Sequence, residues 1–230
     1  MTNGTPAPAP APAPVPVAPG REERATAHHP SVGHPGKRAL DILGAGLVLL
    51  LTAPVIVVAG AAVALTSPGP LLHRRRVVGL GGKEFDALKL RTMVSDADRV
   101  LAENPQLREA FEVNFKLERD PRVTPVGRFL RKWSIDELPQ LVNVLKGEMS
   151  LIGPRMITRA ELGKYGPQAG RLTAVRPGLS GLWQVSGRQE IEYTDRVRLD
   201  LDYIDHWSLG RDVAIALRTP AAVLRGRGAR

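Results

Sequence analysis

The chain of 230 residues contains no cysteine. It can form no disulfide framework, hold no thiolate-ligated metal and offer no thiol nucleophile, a pattern that fits a reducing compartment. Aromatic residues are scarce at 4%, and neither a stacking pattern for nucleic-acid bases nor a recognition helix stands out. The five histidines, His28, His29, His34, His73 and His206, show no ligand spacing, and none is assigned a catalytic role. No internal repeat is visible. The glycine-rich stretch GLGGKE fails as a phosphate loop: the leading glycine is missing, and Glu84 follows Lys83 where Ser or Thr is required. Negative charge is also short. Asp and Glu number 23 against 32 Lys and Arg, a net charge of +9, which calls for an anionic partner: nucleic acid, an anionic membrane surface or a phosphorylated substrate.

What the sequence does contain begins with a tail. Residues 1–36 are mostly Pro, Ala and small polar residues, with too little apolar surface to offset the entropy of ordering them, and are expected to be disordered. From Ala39 to Leu65 runs ALDILGAGLVLLLTAPVIVVAGAAVAL, long enough as a helix to cross a bilayer. It is too long, and its leading tail too extended, for a secretory signal. Lys37-Arg38 before it and Arg74-Arg75-Arg76 after it both favour the cytoplasmic side, a vote for a segment that enters and returns, with a simple spanning helix left open beside it. Pro54 offers the bend, with Thr52 able to bond a freed carbonyl. Beyond Ser67-Pro-Gly-Pro70, two strand-like runs flank GLGG and predict a hairpin. Helical patterns follow over 94–112, 125–132, 136–146, 192–206 and 208–224. The fold class expected is α-rich α/β, a single compact domain over 67–224 with the apolar segment 37–66 docked to it and a basic tail at 225–230.

The stretch SIDELPQL places Asp136 beside Glu137. Ser134 through Glu137 matches a capping box, with Trp133 and Leu138 as a hydrophobic staple. In that register Pro139 falls past the first turn and costs a helical bond; if Asp136 is the cap, Pro139 sits harmlessly inside it. In both registers the carboxylates meet the positive end of a helix and the basic run Arg128, Arg131, Lys132, which favours the ionised form needed by a nucleophile or a metal ligand. The residues alone leave cap and chemistry both open.

Read together, KRALDILGAG, the proline-bent apolar segment, TSPGP, KLRTM, DPRVTPVGRFLRKWSIDELPQLVNVLKGEMSLIGPR, RPGLSGLWQVSGR and RVRLDLDYIDHWSL resemble the bacterial sugar transferases, the polyprenyl-phosphate sugar phosphotransferases. The similarity is collinear from about Lys37 to about Leu224 and is to the small monotopic members. It implies transfer of a sugar 1-phosphate from a UDP-sugar to undecaprenyl phosphate at the cytoplasmic face of the bacterial inner membrane, releasing UMP and initiating exopolysaccharide or glycan assembly. It also implies a re-entrant helix embedded through 39–65, Asp136 as nucleophile forming an aspartyl phosphosugar, and Glu137 holding Mg²⁺. Arg91, Pro154, Arg155, Gln184 and, more weakly, Arg188 are the substrate-binding candidates, the guanidinium fork being matched to phosphate oxygens. Trp183 is a further nucleotide or sugar contact, or a core residue. Asp200 is a second metal candidate, or a surface carboxylate pairing with Arg196 or Arg198.

Three departures stand out: Ala53 where the family usually has Ser, Met156 where it often has Pro, and Pro220 inside the terminal helix, whose last turn is expected to break. No nucleic-acid partner is expected, and a homo-oligomer stays open. The alternative reading is a basic membrane-anchored or nucleic-acid-binding adaptor without catalysis. Intact Asp136, Glu137 and Arg155 argue against a member that has lost activity.

Overall fold

The computed structural model describes residues 29–114, 117, 120–187 and 192–224. The tail expectation for 1–28 and 225–230 lies outside them. Residues 29–36, grouped with the tail on composition, are placed on the domain instead. Pro30–Gly33 form a helical turn capped by His29, whose ring also bonds the Ile204 carbonyl at 3.0 Å. His34 then caps the long apolar helix through Lys37 N–H. Local hydrogen bonding by histidine explains what a Pro/Ala count could not show.

The apolar helix runs from Pro35 to Thr66 without interruption, about 48 Å at 1.5 Å per residue, and is long and apolar enough to cross a membrane. Pro54 removes the N–H that the Leu50 carbonyl would otherwise accept. The Thr52 hydroxyl does not rescue it, donating instead to Val48 O at 2.7 Å. One flank of the helix is exposed along its length, at Leu43, Leu50, Leu51, Val57, Val58 and Leu65. The other is pinned at both ends to the domain. Near the start, Lys37 Nζ reaches Ile152 O at 2.8 Å and Asp212 at 2.9 Å, and the Arg38 guanidinium donates to Val144 O and Leu145 O. Near the end, Ala59 and Val63 pack on Leu90 and Leu130. Lys37 and Arg38, read from sequence as flanking charges that set the side of the membrane, also serve as structural ties.

Hairpin strands β1 (Leu72–Val78) and β2 (Glu84–Leu90) pair antiparallel, Val77 opposite Phe85, Arg75 opposite Ala87 and His73 opposite Lys89. Because side chains alternate across a strand, these six share the inner face. Its end near the turn, Val77, Phe85 and Ala87, joins Ala45, Leu141, Val144 and Met149 in one core; its open end is basic. A second core gathers Ile152, Ile157, Tyr165, Leu172, Tyr203, Ile204 and Ile215. Between the cores runs a feature the sequence reading did not anticipate, a parallel pair of three-residue strands, β3 (Ser150–Ile152) and β4 (Gly178–Ser180). Parallel strands need a crossover connection, supplied here by short helical segments between Arg159 and Thr173.

The terminal helix Leu209–Leu224 continues through Pro220, so the expected break does not occur. Thr219, just before the proline, donates to Ile215 O at 2.8 Å and accepts from Ser180 on β4, also at 2.8 Å. Its buried Asp212 receives bonds from Tyr203 Oη and Trp207 Nε1 besides Lys37. One buried cluster thus fastens both ends of the described chain to β3.

Candidate active site

Helix Pro125–Lys132 ends at Trp133, and the chain reverses through Ser134, whose φ of 55° makes it the only non-glycine residue with positive φ among the described residues. Such a conformation is disfavoured outside glycine and clusters at functional sites. A 3-10 turn, Ile135–Glu137, follows, and then helix Gln140–Lys146 with Pro139 immediately ahead of it. Pro139 therefore breaks no helical bond. Neither expected capping register forms: Ser134 makes no side-chain cap, and Pro139, not Asp136, stands at the start of the helix. Successive residues of a 3-10 turn point about 120° apart, so Asp136 and Glu137 present their carboxylates in different directions.

Asp136 is 4% exposed. Burial pushes its pKa above the usual carboxylate range; Lys89 and Arg131 pull it down, and Glu137 adds to the rise. From the sequence, a helix N-terminus and basic neighbours together are expected to keep the acid ionised. Desolvation outweighs them. Lys89 Nζ lies 2.7 Å from Glu137 Oε1 and 3.7 Å from Asp136 Oδ2, and Arg155 Nη2 lies 3.8 Å from the same Glu137 oxygen. Of the basic run ahead of the pair, Arg131 is the member held close, its Nε bonded to Thr92 Oγ1.

These groups line one continuous cavity of about 1800 Å³. Its lining reaches from Asp136, Glu137 and Lys89 to Trp183, Tyr193 and Arg196, and also to Val48 and Thr52 of the apolar helix and Thr219 and Val223 of the terminal helix. The polar cluster around the carboxylate pair thus opens toward both a basic aromatic group and an apolar wall.

Asp136, Glu137, Arg155 and Gln184 come together on this cavity. Arg91 borders it, but its terminal nitrogens donate to Ser67 O at 2.5 Å and Pro68 O at 2.6 Å, closing the C-terminal end of the apolar helix where a cation complements the dipole. Pro154 is buried behind the site, its carbonyl accepting from Gly178 N–H at 2.8 Å. Arg188 lies outside the described residues. Asp200 is fully buried, accepts from Tyr165 Oη at 2.9 Å and from Arg155 N–H at 3.2 Å, and has its pKa pushed up to about 6 by burial. Its two oxygens are engaged and it steadies the backbone of Arg155. The surface pairing considered for it does not form; Arg198 pairs with Asp195.

Among the described residues no group of three or more His, Asp or Glu gathers as a metal site. Mg²⁺ in phosphate chemistry is ordinarily held by one or two carboxylates together with substrate phosphates, and the pair at 136 and 137 fits that donor set. Lys89 Nζ is within 4 Å of both carboxylates. The sequence reading missed Lys89, Arg75 and Arg196. Strand parity places Lys89 and Arg75 in line with Phe85 and Val77, and Arg196 recurs with Tyr193 and Asp200 at helical spacing on a buried stripe.

A family model described as bacterial sugar transferase matches residues 32–226. The exopolysaccharide production protein ExoY of Rhizobium meliloti strain 1021 is 43% identical over 86% of this chain and 89% of its own length. The undecaprenyl-phosphate galactose phosphotransferase of Salmonella typhimurium is 43% identical over 84% of this chain but only 41% of its own length. The UDP-glucose:undecaprenyl-phosphate glucose-1-phosphate transferase of Caulobacter vibrioides is 44% identical over 82% of this chain and 69% of its own.

Proposed function

Since the chain belongs to the bacterial sugar transferase family, we propose that it transfers a sugar 1-phosphate from a UDP-sugar to undecaprenyl phosphate, releasing UMP, at the cytoplasmic face of the membrane. The observation that carries this reading is the buried Asp136 beside Glu137, on a cavity that opens both to arginines and to the apolar helix. One wall suits a diphosphate, the other a lipid chain.

In the proposed mechanism an Asp136 carboxylate oxygen attacks the sugar-bearing phosphorus of the donor. The P–O bond to UMP breaks, its electrons leave with UMP, and an aspartyl phosphosugar remains. A phosphate oxygen of undecaprenyl phosphate then attacks the same phosphorus and expels the Asp136 carboxylate unchanged. Lys89 and Arg155 hold Glu137 and offset the charge that would repel the incoming phosphate. Mg²⁺, bound by Glu137 and substrate oxygens, would supply further charge neutralisation at the phosphates. Asp200 acts through Arg155 rather than on the substrate.

The re-entrant reading of the apolar helix is supported by its two anchored ends. A straight helix crossing about 30 Å of hydrocarbon could not bury Lys37 on Ile152 and Asp212 at one end and Val63 on Leu130 at the other against a single polar domain. The test of function is UMP release by detergent-purified protein given undecaprenyl phosphate, Mg²⁺ and a panel of UDP-sugars. Release that requires the lipid phosphate supports the proposal; none with any UDP-sugar would overturn it.

A further inference from the structure

Five of the seven buried side-chain nitrogens and oxygens that lack a hydrogen-bond partner among the described residues fall in one group: Trp183 Nε1, Gln184 Oε1, Tyr193 Oη, and Arg196 Nε and Nη2. Buried polar groups are ordinarily paired, so a concentration of unpaired ones beside a reaction centre needs a cause. The group begins one residue away from the carboxylates. Arg155, 3.8 Å from Glu137, lies over the Trp183 ring at 5.1 Å, and Arg196 lies 5.8 Å from the same ring and 4.2 Å from that of Tyr193.

Neighbouring arginines have carboxylate partners: Arg75 bonds Glu161 at 3.1 Å, and Arg155 faces Glu137. Arg196 has no ion pair within 4 Å among the described residues, although Asp200, one helical turn away, and Tyr165 both favour its charged form. That carboxylate is spent on Tyr165 Oη and Arg155 N–H. Nε and Nη2 form one edge of the guanidinium and donate in parallel, a geometry matched to two oxygens of a phosphate. The unpaired set holds four donors, counting the indole N–H and the phenol, and a single acceptor, Gln184 Oε1. A sugar offers donors and acceptors in equal measure. A diphosphate only accepts.

We infer that Arg196, seated on Trp183 and Tyr193 beside Arg155, grips the diphosphate of the nucleotide-sugar donor through its Nε and Nη2 edge. The inference rests on the reading of the site as a nucleotide-sugar transferase, and it adds a binding residue to the three arginines that motif positions nominate.

The test is calorimetric titration of UDP, and separately of inorganic pyrophosphate, into the full chain in detergent with Asp136→Asn to block turnover. Adding Arg196→Gln should weaken both ligands by about ten- to a hundredfold, the worth of a charged hydrogen-bond pair. Arg196→Lys, which keeps the charge and loses the fork, should fall between and serves if the Gln variant does not fold. Unchanged UDP affinity in both variants overturns the inference. So does unchanged UDP affinity with altered discrimination between UDP-glucose and UDP-galactose, which would make Arg196 a sugar contact. Pyrophosphate binding that depends on Arg196 in a protein with no turnover on any UDP-sugar would keep the anion site and remove the proposed function.

Discussion

Asp136 carries a cost at neutral pH. Its folded pKa is raised by burial, so its contribution to stability is fully present below the unfolded value and is lost as pH rises through the raised one. Replacing it with the uncharged isostere should separate chemistry from folding: Asp136→Asn is expected to abolish turnover and to raise the thermal midpoint at pH 8 above that of the wild type, read by a melt in detergent. The same burial predicts that activity falls on the acid side at a pH above the usual aspartate range, as the proposed nucleophile becomes protonated. Glu137 and Asp200 should part in their response to metal. Glu137→Gln should steepen the Mg²⁺ dependence of any residual rate, whereas Asp200→Asn should lower the rate through Arg155 and leave that dependence unchanged, as measured by Mg²⁺ titration of UMP release. Equal steepening in both would place Asp200 on the ion. At this scale the sequence was partly legible. The adjacent carboxylates and Arg155, singled out by motif, line one cavity, but the left-handed Ser134 beside the pair and the carbonyls that claim Arg91 come from how distant segments meet, which no local pattern records.

The apolar helix is defined as much by its ties as by its composition. Lys37, Asp41 and Asp212 are buried together, with Asp41 accepting from Ser150 Oγ and Leu151 N–H at 2.9 Å each. Removing one member of a buried charge cluster strands the others, a loss of about 3–5 kcal/mol. Lys37→Met should therefore lower the thermal midpoint steeply, while the exposed Arg74→Ala should leave it near the wild-type value. Most long elements were readable in advance because their patterns repeat over many residues: the helices at 125–132 and 192–206 and the apolar run lie close to their expected bounds and the hairpin forms around GLGG, whereas the helix expected over 94–112 is split into Ala97–Ala102 and Pro105–Asn114. Three-residue strands carry no period at all, and β3 and β4 were invisible for that reason. Parity along β1 was available and informative, since of Arg74, Arg75 and Arg76 only Arg75 shares the inner face with Val77.

Over the whole molecule, seven of the basic residues divide between two tasks. Lys37, Arg38 and Arg91 are consumed in holding the apolar helix to the domain, and Arg75, Lys89, Arg155 and Arg196 surround the cavity. With the exposed apolar flank of the long helix available for attachment, the protein should stay in the membrane fraction at high salt, because burial of apolar surface is not screened; release by salt alone would contradict this. The absence of cysteine makes the topology simple to measure. Single cysteines at the exposed Gly33 and Arg74 should both react with a membrane-impermeant thiol reagent from the cytoplasmic side of inverted vesicles, and opposite accessibility would establish a spanning helix. The proposed covalent step at Asp136 is open to direct trapping. Incubation of the full chain with a UDP-sugar labelled in the sugar-bearing phosphate, without undecaprenyl phosphate, followed by denaturation and peptide mapping, should yield a phosphosugar adduct on the peptide containing Asp136, absent from Asp136→Asn. Turnover that continues in Asp136→Asn, or a wild-type protein that turns over with no trappable adduct and strictly sequential kinetics, would contradict it.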